Sequence, residues 1–321
     1  MKRILKWTGI VLLLVVAVFV ATVFGRQHLQ FEAPYPDITA STDSAVIARG
    51  SYLVNGPAHC TGCHTDKAHE TAFVKGEPVP LHGGMPFVLP VGTIYSRNIT
   101  NDKTYGVGRL SDQEIARTLR YGVGSDGRAI FDFMPFYMLS DADLQAVISY
   151  LRTVPGDPVE VPPHTFNFLG KAVKAFLIKP MGPLDAERPK AVRPDTSVVY
   201  GEYLANSVSN CAGCHTERDL MTGDFIGPRF AGWRHMEGIR PGSFFNTPNL
   251  TPDPVTGHLH SWDFAQFKAR FRAGSTFPDS QMPWANFARF SDDDLKAIWN
   301  YLHTLKPVAN ETGPLKEPAA S

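Results

Sequence analysis

The chain lacks an excess of charge of either sign. Its 321 residues include 31 Lys and Arg against 31 Asp and Glu, and the basic residues are scattered along the sequence. A protein that binds nucleic acid concentrates its basic residues on one face or stripe. The composition therefore gives no support for a nucleic-acid partner.

Cysteine is also scarce, and all four cysteines fall into two copies of one motif, at residues 60–64 and 211–215. Two thiols three positions apart can bond to both vinyl groups of a haem while the histidine that follows ligates its iron. Structural zinc would need two Cys pairs, or a Cys pair with a distant His pair, and a thioredoxin-like dithiol does not need the histidine. The pattern therefore predicts two covalently bound haem c groups. The attaching thiols are Cys60, Cys63, Cys211 and Cys214, and the first iron ligands are His64 and His215.

Long hydrophobic runs are absent except near the N-terminus, where 19 uncharged residues extend from Trp7 to Gly25. As a helix this run would measure roughly 28 Å, close to the ~30 Å hydrocarbon core of a bilayer. Basic residues precede it, which favours a cytoplasmic N-terminus. A cleaved signal peptide is the alternative, but Ala21 has Phe19 two positions before it, so no small-x-small site follows the run. We predict a single-pass anchor in the inner (cytoplasmic) membrane, with the haem domains in the periplasm.

The two motifs belong to a longer internal repeat with an offset of 151 residues, which also relates Gly50 to Gly201 and Asn98 to Asn249. A fixed offset of this kind indicates a tandem duplication, and the chain is long enough for two domains. The predicted organisation is an anchor at 1–26, similar domains at 42–155 and 195–307, a proline-rich linker at 156–194 and a tail at 308–321.

Each repeat is predicted to be mostly helical. Its first helix, around residues 45–54 in the first copy, ends at the haem motif and contains Gly50. A glycine inside a helix destabilises it by about 1 kcal/mol relative to alanine, so its recurrence as Gly201 indicates that another helix approaches closely. We expect that partner to be the last helix of the repeat, which begins with patterns that resemble capping boxes. These are Ser140 with Asp143 and Ser291 with Asp294.

The order of helix, CxxCH, loop, helix, Met-Pro and capped final helix resembles a class I cytochrome c domain. The sequence is closer still to the multihaem cytochrome c subunits of membrane-bound bacterial dehydrogenases, such as those for alcohols and gluconate. The resemblance implies an all-α fold with two tandem class I cytochrome c domains behind a transmembrane helix. Those subunits usually carry three haem motifs and this chain has two, so the resemblance does not identify the partner enzyme. The segments that carry it are Arg49-Gly50-x-Tyr52-Leu53, residues 92–100, Met134-Pro135 and residues 139–144.

The second axial ligand of each iron decides between electron transfer and catalysis. A methionine thioether raises the potential and leaves no open site. Met134 and Met282 stand 70 and 67 residues after their histidines, and both precede proline. Met85 and Met236 both stand 21 residues after theirs, but only Met85 precedes proline. The family resemblance places the ligand on the loop before the final helix, which favours Met134 and Met282.

The other histidines are weaker candidates for iron ligation. His59 directly precedes a haem cysteine, where a polar contact with haem or plain exposure is favoured over ligation. His82 and His235 could replace methionine in a bis-histidine haem, but they do not align with each other.

Two further roles follow from position in the sequence. A proximal imidazole usually donates its second N–H to a backbone carbonyl, and Pro228 supplies the candidate for His215, with Pro78 or Pro80 less clearly so in the first repeat. The repeated asparagines at 98 and 249 could reach haem propionates, and turn formation is an equally good account of them.

The linker contains one amphipathic patch, which we expect to pack into the seam between the two domains rather than on a membrane surface or a partner. Its apolar residues are Leu169, Ala172, Val173, Phe176 and Leu177.

These features predict a relay of single electrons between a membrane-bound dehydrogenase, or another quinol-oxidising respiratory complex, and a downstream cytochrome or terminal oxidase. A dihaem enzyme, such as a peroxidase or thiosulfate-oxidising cytochrome, is the alternative, and it needs one iron with an open site. A subunit that only anchors a dehydrogenase is a third possibility, but it leaves the second haem without a role.

Overall fold

A computed structural model of the chain describes residues 1–182, 185, 187–219, 223–239, 242–277 and 279–317. Within these ranges it is helix-rich. The helices of the first half are α1 (Lys2–Arg26), α2 (Ser44–Asn55), α3 (Cys60–His64), α4 (Glu70–Val74), α5 (Asp112–Tyr121), α6 (Asp141–Thr153) and α7 (Phe168–Phe176). Those of the second half are α8 (Val198–Tyr203), α9 (Cys211–Cys214), α10 (Phe264–Arg272), α11 (Trp284–Phe287) and α12 (Asp292–Leu302).

Five short strands correct the all-α prediction. The strands are β1 (Pro86–Leu89), β2 (Gly92–Tyr95), β3 (Thr165–Phe166), β4 (Trp233–Glu237) and β5 (Phe244–Thr247). They form an antiparallel sheet in the order β1-β2-β3 and a separate β4-β5 hairpin. β-branched and aromatic residues such as Thr93, Ile94 and Tyr95 favour strands, and the Gly92 backbone has φ +135°, a conformation that glycine adopts readily. The hairpin in each repeat follows the haem motif and precedes the repeated asparagine.

The first and last helices of each repeat cross at the recurring glycine, Gly50 in the first repeat and Gly201 in the second. A Cβ atom added to Gly50 would lie 1.9 Å from the Ala146 carbonyl oxygen on α6, and one added to Gly201 would lie 2.0 Å from the Ala297 carbonyl oxygen on α12. The α2–α6 and α8–α12 pairs are therefore in backbone contact, as the recurrence of the glycine predicts.

The predicted capping boxes are only half formed. The Ser140 side chain accepts a hydrogen bond from the Asp143 backbone N–H, and Ser291 does the same for Asp294. In a full capping box the Asp143 side chain would also accept from the Ser140 N–H. Here the Asp143 carboxylate pairs with Arg49 of α2 instead, through two hydrogen bonds of 2.8 and 2.9 Å. An aspartate is shorter than the usual Glu or Gln, so the N-cap backbone N–H needs another partner.

Tyrosines from the opposite repeat supply that partner. The Ser140 N–H donates to the Tyr203 hydroxyl over 3.1 Å, and that hydroxyl donates to Asp143 over 2.8 Å. Symmetrically, the Ser291 N–H donates to the Tyr52 hydroxyl over 2.8 Å, and Tyr52 donates to Asp294 over 2.5 Å. Burial and the nearby carboxylate raise the pKa of both phenols, which keeps them protonated as donors. The two repeats thus cap each other's last helix.

We expect Tyr203→Phe to lower the free energy of unfolding by about 1–3 kcal/mol, because it leaves the buried Ser140 N–H without its acceptor and removes one of the hydrogen bonds to the buried Asp143 carboxylate. Tyr52→Phe should have a similar effect, since it acts on the equivalent contact. Thermal unfolding of the detergent-solubilised chain measures both effects, and exposed Tyr105 provides the control substitution Tyr105→Phe. Equal melting temperatures for all three variants would contradict the mutual capping.

Buried apolar side chains from both repeats join in one continuous cluster, and a smaller cluster around Ile115 and Ile148 lies in the first repeat. The continuous cluster includes Leu53 and Val147 from the first repeat and Leu204, Phe230 and Leu295 from the second. Both haem motifs border it through Cys60 and Cys211. The extents of the two domains stay a prediction from the sequence.

The linker patch lies against α1, which corrects its predicted position in the seam. The Phe19 ring stacks on Phe176 at 6.1 Å and meets Phe168 edge-on at 6.2 Å. The Arg26 Nε donates to the Ala175 carbonyl over 3.3 Å, which fixes the end of α1 on α7. Sequence periodicity identifies an apolar face but not its partner, and here α1 offers the larger apolar surface.

Candidate functional site

Each haem motif begins on a residue with left-handed backbone. His59 has φ 44° and Asn210 has φ 50°, and each precedes a short helix, α3 or α9. Asn and His tolerate this region better than most residues, so the chain turns sharply from the preceding helix into the motif. The four thiols of α3 and α9 form no disulfide.

Backbone carbonyls orient both motif histidines. The His64 Nδ1 lies 2.7 Å from the Arg97 carbonyl oxygen, and the His215 Nδ1 lies 3.0 Å from the Pro248 carbonyl oxygen. A carbonyl can only accept, so Nδ1 carries the proton and Nε2 has its lone pair free. Burial lowers the pKa of both imidazoles, to about 4 for His215. Both rings are therefore neutral, the form that binds metal.

These carbonyls correct the predicted acceptors Pro228, Pro78 and Pro80. The true acceptors stand 33 residues after each histidine and are themselves related by the 151-residue offset. Each directly precedes a repeated asparagine, so the repeat held a signal that could have identified them.

The repeated asparagines shape the turn behind each imidazole. The Asn98 Oδ1 accepts from the Thr100 N–H and hydroxyl, and its Nδ2 donates to the Asp157 carbonyl over 2.8 Å. Asn249 makes the same contacts with Thr251 and donates to the Val308 carbonyl. Of the two roles considered for them, turn formation is the one that the structure shows.

One continuous cavity of about 2130 Å³ joins the two motifs. Its lining is mainly apolar and includes residues of both repeats. The residues relevant to cofactor attachment and ligation are Cys60, Cys63, His64, Met85, Met134, Cys211, Cys214, His215, Met236 and Met282. Burial is the main cause that raises the pKa of the cysteine thiols, to about 12 for Cys60 and Cys211.

The lining fits a flat apolar group that also carries polar substituents. Three buried oxygens without a partner belong to cavity residues, namely Thr65 Oγ1, Ser209 Oγ and Asn286 Oδ1. An added Cβ on Gly62 would lie 2.6 Å from that Asn286 oxygen, so the first motif packs against α11 of the other repeat. Paired thiols, a neutral imidazole and an apolar cavity together match what covalent haem requires.

Met134 and Met282 occupy equivalent turns despite their unequal spacing. The Met134 carbonyl accepts from the Phe136 N–H over 2.8 Å, and the Met282 carbonyl accepts from the Trp284 N–H over 2.8 Å. Both methionines pack on the continuous apolar cluster. The difference of three residues is taken up in the loop between α10 and Met282, as loops tolerate.

Met85 and Met236 lie on the hairpins instead. The Met85 carbonyl accepts from the Ser96 N–H over 3.1 Å, so Met85 lies beside the residue that precedes the carbonyl acceptor of His64. Met236 on β4 pairs with Phe245 on β5. Phe245 stands three residues before Pro248, the carbonyl acceptor of His215. Both methionines are thus tied to the hairpins that lead to the carbonyl acceptors of the imidazoles.

The three weaker histidines have different surroundings. His59 lines the cavity between the rings of Phe136 and Phe287, at 6.1 and 5.8 Å, so it is not simply exposed. His235 also lines the cavity, but its Nδ1 pairs with Glu317 over 2.9 Å. Among the described lining residues His82 is absent, because its ring lies between two carboxylates.

No protein-family model matches the chain. The cytochrome c subunit of alcohol dehydrogenase (quinone) from Gluconacetobacter polyoxogenes is 28% identical over 289 residues, 86% of this chain and 59% of the relative. The cytochrome c subunit of gluconate 2-dehydrogenase from Pantoea cypripedii is 28% identical over 283 residues, 82% of this chain and 60% of the relative. A diheme cytochrome c-type protein from Cereibacter sphaeroides is 24% identical over 265 residues, 78% of this chain and 82% of the relative.

The chain thus spans about three fifths of the length of these two dehydrogenase subunits. Similarity to several cytochromes c implies covalently bound haem. The predicted resemblance is confirmed: over most of its length the chain is similar to the cytochrome c subunits of dehydrogenases and to a diheme cytochrome c.

Proposed function

We propose that the chain is a membrane-anchored periplasmic dihaem cytochrome c. In this role it relays single electrons between a dehydrogenase or quinol-oxidising donor and a downstream cytochrome or terminal oxidase. The observation that carries the proposal is the single cavity that reaches both CxxCH motifs. Haems bound at both motifs would share this apolar cavity, which would allow electron exchange within one chain.

The proposed attachment sites are the four cysteines, and the proposed axial pairs are His64 with Met134 and His215 with Met282. Haem iron, when bound, supplies reversible one-electron chemistry. The Arg97 carbonyl oxygen holds the His64 ring in one orientation and the Pro248 carbonyl oxygen does so for His215. The apolar lining would exclude water, and the thioether sulfurs of Met134 and Met282 would supply the second ligand of each iron.

We assign the methionines by the element that carries each candidate. The second ligand must face Nε2, opposite the carbonyl acceptor. Met85 and Met236 are hydrogen-bonded into the hairpins that lead to those acceptors, whereas Met134 and Met282 stand on separate loops that pack on the apolar cluster. The loop methionines are therefore the better ligands.

The helix α1 is the proposed membrane anchor. By length and composition it qualifies as a membrane span, although a signal sequence passes the same test. Its contact with α7 supports a retained helix, because the exposed apolar residues Phe168, Leu169 and Leu177 of that segment add to the apolar surface of α1. Lys171 lies 4.7 Å from the Phe24 ring, a position suited to the bilayer interface.

We expect an alkaline wash to leave the chain in the membrane fraction, because α1 is held by hydrophobic burial and not by charge. N-terminal sequencing should find residues ahead of Trp7. A soluble mature chain that begins after Gly25 would contradict the anchor while leaving the haem assignment intact.

A dehydrogenase is the proposed electron donor, since the two subunits described above come from such enzymes. Purification in mild detergent followed by identification of associated chains tests this directly. We expect a dehydrogenase to co-purify and its substrate to reduce the bound haem. Catalytic turnover of hydrogen peroxide by the chain alone would favour the dihaem peroxidase instead.

A further inference from the structure

A second metal-binding constellation lies outside the haem cavity, in the turn that follows the first motif. His69 Nδ1 lies 2.6 Å from Asp66 Oδ1, and His82 Nε2 lies 3.2 Å from Asp66 Oδ2. One ligand atom from each of these residues can be chosen so that all three lie within 4.8 Å of one another. Two imidazole nitrogens and a carboxylate oxygen are a usual donor set for zinc, which leaves one position for water.

A second carboxylate, that of Asp157, contacts the other ring nitrogen of His82. His82 is 8% exposed, and its Nδ1 lies 2.8 Å from Asp157 Oδ2. Asp157 is fixed in turn, because its N–H donates to the Thr100 hydroxyl over 3.1 Å and its carbonyl accepts from Asn98. A carboxylate behind a histidine, with the other ring nitrogen directed at the ligand site, is the arrangement that orients metal-binding histidines.

One imidazole cannot serve both carboxylates while it is neutral, because it then has a single N–H. Either His82 is protonated, in which case the group is an ion pair, or a cation lies between its Nε2 and Asp66. His69 places a second imidazole beside the same carboxylate, which completes a donor set for a cation.

The second repeat shows that haem binding does not need this cluster. At an offset of 151 residues its four members are replaced, which removes both histidines and one carboxylate. Asp66, His69, His82 and Asp157 correspond to Glu217, Leu220, Trp233 and Val308. The cluster therefore has a role of its own in the first repeat.

We propose that Asp66, His69 and His82 bind a divalent transition-metal ion of the zinc type, with Asp157 as the positioning residue. The ion links the loop of His82 to the turn after the first haem motif, where the Gly83 N–H donates to the His64 carbonyl over 2.8 Å. It thereby stabilises the backbone that carries His64. The site does not depend on the proposed electron relay, because none of its ligand residues lines the haem cavity.

The test uses the full-length, haem-loaded chain in detergent, so that the cysteine thiols are already consumed and cannot bind zinc. After treatment with a chelator, zinc is titrated against a fluorescent zinc indicator, and bound zinc per chain is counted by elemental analysis. We expect one zinc per chain, with two nitrogen ligands at about 2.0–2.1 Å in the zinc-edge X-ray absorption spectrum.

Substitutions of these residues distinguish a role as zinc ligand from a purely structural role. His69→Gln and His82→Gln should each weaken zinc binding by about 100-fold or more, and Asp157→Asn by about 10–100-fold, the range for outer partners of metal ligands. His303→Gln, at an exposed histidine on the end of α12, is the control and should bind zinc like the parent. Because His69 is partly exposed, its variant remains informative if His82→Gln loses haem.

Two results would overturn the proposal. The first is the absence of stoichiometric zinc in the parent at micromolar concentrations, which identifies the cluster as an ion pair only. The second is zinc binding that survives both histidine substitutions, which places the ion elsewhere on the chain.

Discussion

Replacing Met282 with alanine should make about half of the haem bind carbon monoxide in the reduced protein. The thioether that closes one iron would be lost, and the vacant position would take water or an external ligand. Met134→Ala should make the other half of the haem bind carbon monoxide, and the double variant should make all of the haem bind it. The oxidised protein should lose its sulfur-to-iron charge-transfer band at the red edge of the visible spectrum in two steps.

Methionine-to-histidine variants provide the matched control at these positions. Imidazole is a competent ligand, so Met134→His and Met282→His should stay low-spin and closed to carbon monoxide. Their potentials should fall, because nitrogen lacks the preference of the thioether for ferrous iron. Loss of the charge-transfer band in Met85 or Met236 variants, with no change in the Met134 and Met282 variants, would contradict the assignment. It would identify the methionines that stand 21 residues after each histidine as the ligands.

Gly201→Val should prevent haem incorporation in the second repeat while the first repeat still matures. Its side chain would begin 2.0 Å from the Ala297 carbonyl oxygen, and backbone on a packed helix cannot yield as a flexible side chain can. Overpacking of this kind costs about 1–3 kcal/mol and occasionally more. The altered α8–α12 crossing would also displace α9. Mass spectrometry should then find one haem per chain instead of two.

Gly50→Val should have the corresponding effect on the first repeat, since its added Cβ would lie 1.9 Å from the Ala146 carbonyl oxygen. The control is Gly9→Val, because Gly9 also lies within a helix but has nothing within 4 Å of an added Cβ. Variants at 50 and 201 that mature and melt like the parent would disprove the close crossing.

The parts of the fold that depend on local chemistry could be predicted from the sequence. Covalent haem attachment fixes the spacing of two cysteines and a histidine, so residues 60–64 and 211–215 were recognisable without a structure. The recurrence of Gly50 as Gly201 was likewise enough to predict a helix crossing. Serine caps at 140 and 291 follow from short-range hydrogen bonding, which a sequence displays directly.

The parts that depend on how the repeats meet could not be predicted. Nothing local indicates that Tyr52 and Tyr203 cap helices of the opposite repeat, because the contacts join residues 239 and 63 positions apart. The carbonyl acceptors of the histidines are backbone atoms, so the identity of Arg97 or Pro248 does not signal the role, and only their shared position before the repeated asparagines could have identified them. The short hairpins were missed because four-residue strands carry little periodicity.

The most direct test of the proposed relay is the number of electrons that one purified chain accepts. The full-length protein would be reduced anaerobically in measured steps, with the haem spectrum recorded in the presence and absence of carbon monoxide. We predict two electrons per chain, taken up by two low-spin haems, and the same ferrous spectrum whether or not carbon monoxide is present. One electron per chain, or a ferrous haem in the unmodified protein that binds carbon monoxide, would contradict the account.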